Sequence, residues 1–254
     1  GYSYVKGLGL IMQINQNVPS CVAVGGNNGC RPNPNYADNT QYSSAGESNY
    51  HGLHLSLRLL PTRWGSARIS YSYSKSMNNV GEAFFNGPID TFDLSKDWGR
   101  SDDDQRHRLA LSGAIHTPKE PSSTTWGRIT HGFQLSAMLQ YYSALPFDIT
   151  SGVTTVQGSA GRPIVNGAFI ERNAGVGSDF FSLNARVTRT FEVTERVQFE
   201  AIAEAFNLTN RRNDLTRNTR FGSGAYPHNP SPTFNQITAV GEPRGFQFGL
   251  RLRF

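Results

Sequence analysis

The chain has 254 residues, a formal net charge of +5 and a mean hydropathy of −0.45. No stretch approaches the run of about eighteen apolar residues that a membrane-spanning helix needs, which excludes a helical membrane protein. The 24 lysines and arginines are spread over many segments rather than clustered, which argues against a nucleic-acid partner. Strands that cross a bilayer need only alternate apolar positions, so the low hydropathy does not exclude them.

Eight segments alternate apolar and polar residues with a period of two, the pattern of strands with one apolar face. In chain order they are residues 2–14, 50–60, 67–74, 106–115, 133–141, 181–188, 197–205 and 245–254. The first is the weakest, because Lys6 falls on its apolar phase. The last is the clearest, because a large apolar residue occupies every even position from Phe246 to Phe254. No segment has a helical period, so the sequence predicts an all-β fold of antiparallel transmembrane barrel strands.

The connections between these segments alternate in length. The long ones span about residues 15–48, 75–104, 143–179 and 208–243, and the short ones 61–64, 117–130 and 194–195. Long connections are unusual in a compact soluble domain. An outer-membrane barrel, in contrast, has short periplasmic turns at one rim and long extracellular loops at the other. If the C terminus is periplasmic, every short connection falls at the periplasmic rim, which indicates the outer membrane of a Gram-negative bacterium.

The two cysteines, Cys21 and Cys30, lie close together in a stretch rich in Gly, Asn and Pro. No other cysteine or histidine stands nearby with the spacing of zinc ligands. We therefore predict a loop disulfide formed in an oxidising compartment, with two free thiols as the alternative.

The sequence contains no recognisable catalytic or cofactor-binding motif, since GxSxG, HExxH and phosphate-cradling glycine patterns are absent. His51 and His54 are three positions apart in a strand, so their rings point to opposite faces and cannot share a metal ion. The carboxylates of Asp93, Asp97 and residues 102–104 would suit a cation site in an outer loop, but a solvated acidic loop is the favoured interpretation. We expect no enzyme activity, no cofactor and no bound metal.

Most charges on the predicted strands fall on the polar phase, which faces inward if the apolar phase faces lipid. A charge on the lipid face near mid-membrane costs about 2–4 kcal/mol, so this placement is favoured. The inward charges are Arg58, Arg68, Arg108, Arg186, Glu200, Glu204, Arg251 and Arg253. If the last two strands pair, the two glutamates lie near the last two arginines in a lumenal ladder of ion pairs; the alternative is a surface that contacts a plug or substrate. Arg189 falls on the lipid phase near a short turn, where it can snorkel to the interface.

Five stretches together resemble a known family. They are SNYHGLHLSL from Ser48, ISYSYSKS from Ile69, FDL from Phe92 followed by WGRSDDDQRHR from Trp98, EAFNLTN from Glu204, and PRGFQFGLRLRF from Pro243. In order and spacing they resemble the strands of TonB-dependent receptors of the Oar-like type, which carry a carboxypeptidase-regulatory-like domain. The similarity extends over nearly the whole chain.

The resemblance implies a barrel of about 22 strands with an N-terminal plug and a TonB box. Residues 1–254 would be the C-terminal segment of that barrel, without the plug. Such receptors take up substrates across the outer membrane, or serve in export or adhesion. The implied partners are outer-membrane lipid, the barrel-assembly machinery, TonB through a plug absent here, and an unknown substrate. By analogy with outer-membrane proteins, Phe254 is expected to be the recognition end for insertion.

Other architectures fit the same alternation. Eight strands suffice to close a small, self-contained outer-membrane barrel with a structural or adhesive role. A soluble ligand-binding barrel of the lipocalin type also alternates but turns its apolar face inward, and the long loops and terminal phenylalanine argue against it. An outer-membrane hydrolase is a minor alternative, since no catalytic set is recognisable.

Overall fold

The computed structural model describes residues 1–81, 87–117, 124–194 and 197–254, and eight long antiparallel strands dominate it. They are β1 Tyr2–Asn15, β2 Thr40–Thr62, β3 Gly65–Asn78, β4 His107–His116, β5 Phe133–Tyr142, β6 Phe180–Glu192, β7 Gln198–Phe206 and β8 Gly245–Arg253. Consecutive long strands pair throughout one sheet, to which Gly99–Arg100 adds a short strand beside β3. The prediction of an all-β fold with eight long antiparallel strands is confirmed.

The register places the apolar phases of neighbouring strands on a common face. One row of paired residues runs through Leu57, Ile69, Leu111, Leu139 and Leu183, from β2 to β6. At β8 the same face ends in Phe246, Phe248, Leu250 and Leu252, each more than half exposed. Because residues two apart share a face of a strand, the alternation in the sequence yields one apolar surface across the sheet. This surface is directed away from the protein, as a face toward lipid requires.

Two β-bulges change the face on which the outer end of the first segment places its side chains. The pairing of β1 with β2 shifts between Leu8 and Leu10 and shifts back before Ile11, with Gly9 at a φ of +66°. An extra residue in a strand reverses which face the following residues occupy. Met12 is consequently 2% exposed, whereas its neighbour Ile11 is 48% exposed on the opposite face. The outer end of β1 therefore buries its even positions, not its odd ones.

Several strands extend well beyond their predicted limits. β2 starts at Thr40, ten residues before the predicted start at Tyr50, so the connection predicted to reach residue 48 is strand at its C-terminal end. β6 likewise continues to Glu192. The added part of β2 contains three serines and few apolar residues and has no apolar alternation, because both of its faces lie outside the apolar band.

Within the described residues, helical structure is confined to short turns. A 3-10 turn spans Leu94–Asp97, and the helix Thr125–Thr130 begins after Thr124, whose hydroxyl accepts a hydrogen bond from the backbone N–H of Gly127. Six residues are too few to show a helical period, which is why the sequence did not predict this helix. Across the described ranges, no helix is long and apolar enough to cross a membrane.

Among the described residues, the buried apolar side chains lie in the loops and at the loop end of β1. They are Met12, Ile14, Val18, Val80, Ile89, Ile149 and Phe221. Val80 and Leu94 pack against Met12 and Ile14, so the outer loop after β3 is anchored to the bulged end of β1. Further short strand pairs, Pro146–Phe147 with Gly175–Val176 and Asp214–Arg217 with Ile237–Val240, stiffen the other outer loops. The core therefore belongs to the outer layer and not to the sheet.

The sheet is open. Within the described residues, β1 and β8 are its outermost long strands and do not pair with each other. Each therefore presents one row of backbone N–H and C=O groups without a strand partner.

Candidate functional site

The outer loops enclose a cluster of arginine and aspartate side chains that the sequence did not reveal. Arg162 is 3% exposed, and its Nη1 donates to Asp97 Oδ1 at 3.0 Å while its Nη2 donates to the carbonyl of Lys96 at 2.6 Å. Asp97 also accepts a hydrogen bond from the backbone N–H of Ile89 at 2.8 Å. These contacts fasten the loop after β5 to the loop after β3.

A second buried arginine, Arg172, makes the next connection. Its Nη2 donates to Asp102 at 2.8 Å, and its Nη1 donates to the side chain of Asn78 and to the carbonyl of Val80 at 3.2 Å. The adjacent Asn173 donates to Asp102 at 2.7 Å and to the carbonyl of Arg100 at 2.7 Å. The guanidinium and amide donors are thus satisfied mainly by the residues around the end of β3.

Asp104 closes the network, with a side chain that is fully buried. It accepts from Arg100 at 2.8 Å, from Arg106 at 3.0 Å and from the backbone N–H of Ser76 at 2.8 Å. The favoured interpretation of a solvated acidic loop is therefore wrong for Asp97 and Asp104. Arginines form ion pairs with these carboxylates. Within the described ranges, no group of three or more His, Cys, Asp or Glu side chains could hold a metal ion.

A cavity of about 440 Å³ lies beside this network. Asp97, Asp102, Asp148, Arg162 and Arg172 line it. Burial raises the pKa of the Asp148 carboxyl, which Arg162, the backbone N–H of Asn173 at 3.2 Å and Arg172 only partly counteract. Arg162 Nε is buried and has no hydrogen-bond partner. The cavity therefore combines guanidinium and carboxylate side chains in its lining, a combination suited to hydroxyl and other polar groups.

The lumenal ladder forms, but with partners that differ from the expected set. Glu200 is 7% exposed and lies opposite Arg251, with Arg251 Nη1 at 3.4 Å and Arg253 Nη2 at 3.2 Å. Glu204 does not contact either arginine, because the register places Gln247 opposite it. It pairs instead with Arg186 of β6 at 2.6 Å. The ladder therefore joins three strands rather than two.

The remaining candidate residues lie apart from this site. Cys21 and Cys30 form a disulfide with a Cα–Cα distance of 5.4 Å in the first outer loop. Arg189 does not extend free toward the interface: its guanidinium stacks over Phe133 at 4.8 Å and Phe191 at 4.7 Å. Phe254 is 98% exposed beyond the end of β8.

His51 and His54 lie on opposite faces of β2. His51 Nδ1 shares a hydrogen bond with the Tyr2 hydroxyl at 2.7 Å, and His54 Nδ1 shares one with Ser72 at 3.0 Å. Each ring therefore has its own neighbours, and the two do not form a common site.

The apolar outward face and the long structured loops define a membrane barrel protein, and comparison with known families agrees. The chain belongs to the outer membrane beta barrel domain family, whose model matches residues 2–171. Membership places it in the bacterial outer membrane. The alternative of a soluble, lipocalin-like barrel is therefore wrong.

The structure is similar to a solved structure, the outer membrane transporter YddB from Escherichia coli, with a TM-score of 0.59 and 13% sequence identity. The match covers 99% of this chain and 29% of the transporter, so the chain spans less than a third of that protein's length. At this identity the similarity shows the fold alone. No curated protein matches the chain.

Proposed function

We propose that the chain is the C-terminal barrel segment of a TonB-dependent receptor of the Oar-like type, which binds a substrate and transports it across the outer membrane. The observation that carries this proposal is the match of nearly the whole chain to less than a third of an outer membrane transporter. The motifs shared with Oar-like receptors support the finer assignment. The same resemblance suggests a plug, and TonB as the partner that acts through it.

The open sheet favours a segment of a larger barrel over a self-contained barrel of eight strands. Each backbone polar group left unpaired in lipid costs several kcal/mol, so neither β1 nor β8 is stable in the membrane with a bare edge. Eight strands are enough to close a barrel, yet β1 and β8 do not pair in the structure. Additional strands on both sides would satisfy the two edges.

The cavity beside Arg162 and Asp148 supports a binding role. It lies in the outer layer, where a ligand arriving from outside makes its first contacts, and it offers polar groups of both kinds. On the polar face of the sheet, Arg251 and Arg253 remain about half exposed, which leaves them available to a plug inside the barrel. Neither site contains a recognisable catalytic set, so we propose binding and transport rather than an enzyme.

The proposal is tested by comparing the excised 254-residue chain with the full-length gene product in detergent. We expect the full-length gene to encode a signal peptide, a plug and upstream strands, and its product to show the heat-modifiable migration of a closed barrel. The excised chain should aggregate, because its edges are bare. A discrete heat-modifiable form of the excised chain would instead support the self-contained barrel, and a reading frame that begins near Gly1 would contradict the transporter.

A further inference from the structure

Lys6 lies on the face of the sheet that faces lipid. It pairs with Asn49 of β2, on the same phase as Tyr2 and Tyr4 and opposite to the lumenal phase. Its side chain is exposed. A lysine on this face is tolerated where its ammonium group reaches the interface, so its position along the strand decides what it does.

Lys6 belongs to a basic patch on three adjacent strands. His51 of β2 pairs with Tyr4 of β1 on one side and with Lys75 of β3 on the other, so all these side chains share the lipid-facing phase. The rings of Tyr4 and His51 are 4.8 Å apart between centroids. We call Lys6, His51 and Lys75 the rim patch.

The rim patch lies just beyond the outer end of the apolar band. On β2 the band is formed by alternate leucines from Leu53 to Leu59, and His51 is the next residue on that face. The long loops follow on this side of the sheet, which corresponds to the outer leaflet because the periplasmic turns of such barrels are the short ones. Aromatic rings at this level, including that of Tyr73, match the girdle found at membrane interfaces.

The two lysines have no counter-ion in the part of the chain that the structure describes. Neither makes an ion pair or a side-chain hydrogen bond there, although both are exposed. Glu47, on the same phase of β2 and two residues further out than Asn49, forms no ion pair with Lys6. Lys96 in the loops, in contrast, is held by Asp90 at 2.5 Å. The positive charge of the rim patch is therefore available to a partner from the membrane.

We propose that the rim patch binds the phosphate groups of an anionic, phosphorylated lipid of the outer leaflet. Unpaired lysines at the headgroup level attract anionic lipids, and the neighbouring tyrosines pack beside the sugar or acyl portion. The inference depends on the placement of the chain in the outer membrane and not on the transported substrate. Failure of the transport proposal would therefore leave it standing.

The test measures lipid binding by the full-length protein, delipidated in detergent and titrated with lipopolysaccharide. We expect the double variant Lys6→Gln/Lys75→Gln to bind roughly thirtyfold more weakly than the unaltered protein, since each lysine near the headgroups strengthens binding roughly fivefold. The double variant Lys6→Arg/Lys75→Arg should retain the affinity, which separates charge from folding. Arg63→Gln is the matched control, because Arg63 is exposed beside Trp64 at the opposite rim.

Three results would overturn the proposal. The first is an affinity of the glutamine variant within twofold of the unaltered protein, and the second is an equal loss in Arg63→Gln. The third is displacement of the lipid by an equal concentration of inorganic phosphate, which would identify free phosphate rather than a lipid as the ligand. Lipid with its phosphates removed should bind the unaltered protein and the glutamine variant equally.

Discussion

Asp148 differs from Asp97, Asp102 and Asp104 because it forms no ion pair with an arginine among the described residues. Asp97, Asp102 and Asp104 each have a guanidinium within 3.0 Å. Asp148 accepts a hydrogen bond from one backbone N–H, and Arg162 and Arg172 act on it only through longer-range electrostatic attraction. Desolvation therefore dominates and raises the pKa of Asp148. The ionised carboxylate of Asp148 is therefore less favourable in the folded loops than it is in water.

This difference predicts how the loops respond to pH. A carboxyl whose folded pKa is raised contributes stability below its unfolded pKa, near 3.8, and loses that contribution as pH rises through the folded value. We expect Asp148→Asn to slow amide hydrogen exchange in residues 143–179 at pH 7, after correction for intrinsic rates. The variant and the unaltered protein should converge below the ordinary pKa of the carboxyl.

The exposed Asp103, which has no ion pair among the described residues, provides the control. Asp103→Asn should leave the exchange of residues 143–179 unchanged at either pH. Faster exchange in Asp148→Asn at pH 7 would mean that the ionised carboxylate stabilises the loops, contrary to this expectation.

At the scale of the elements, the bulge in β1 decides which residues join the outer core. Gly9 has a positive φ and lets the strand reverse its phase, so that Met12 and Ile14 reach Val80. Without the reversal, these two side chains would lie on the lipid-facing phase. One glycine thus connects the membrane strand to the packing of the loops.

Replacing Gly9 isolates the backbone requirement, because a Cβ at this position would meet nothing closer than 3.8 Å. We expect Gly9→Ala to destabilise the protein by about 1 kcal/mol, since an L-residue with positive φ is strained. The temperature at which the heat-modifiable band of the full-length protein disappears is the measurement.

Gly249→Ala is the matched control, because its nearest neighbour is also at 3.8 Å and its φ is not positive. Equal effects of the two substitutions would show that the positive φ of Gly9 carries no particular cost.

The elements also show which features a single sequence can predict. Alternation identifies the strands of β4 to β8 within a few residues, because lipid on one face and polar surroundings on the other impose a period of two. The start of β2 at Thr40 could not be predicted, since Thr40–Glu47 lies outside the lipid-facing apolar band and shows no apolar alternation. The pairs Arg162–Asp97 and Arg172–Asp102 join residues 65 and 70 positions apart, and nothing in the local pattern links them.

At the scale of the whole molecule, the unpaired edges of β1 and β8 give the most direct prediction. In the full-length barrel we expect the edge amides of β1 and β8 to be protected from hydrogen exchange to the same degree as the amides of β4 and β5, because neighbouring strands cover them. In the excised chain the same amides should exchange rapidly. Protection of both edges in the excised chain would mean that β1 and β8 close on each other.

The division of the molecule into two layers also bears on how its sequence can change. The lipid-facing surface needs only apolar side chains of any shape. The outer layer, in contrast, depends on a buried apolar core like that of a water-soluble protein and on specific ion pairs. Substitutions in one layer therefore place few demands on the other. The outer loops, and with them the ligands that the protein contacts outside the cell, can therefore change in evolution while the membrane-spanning strands stay the same.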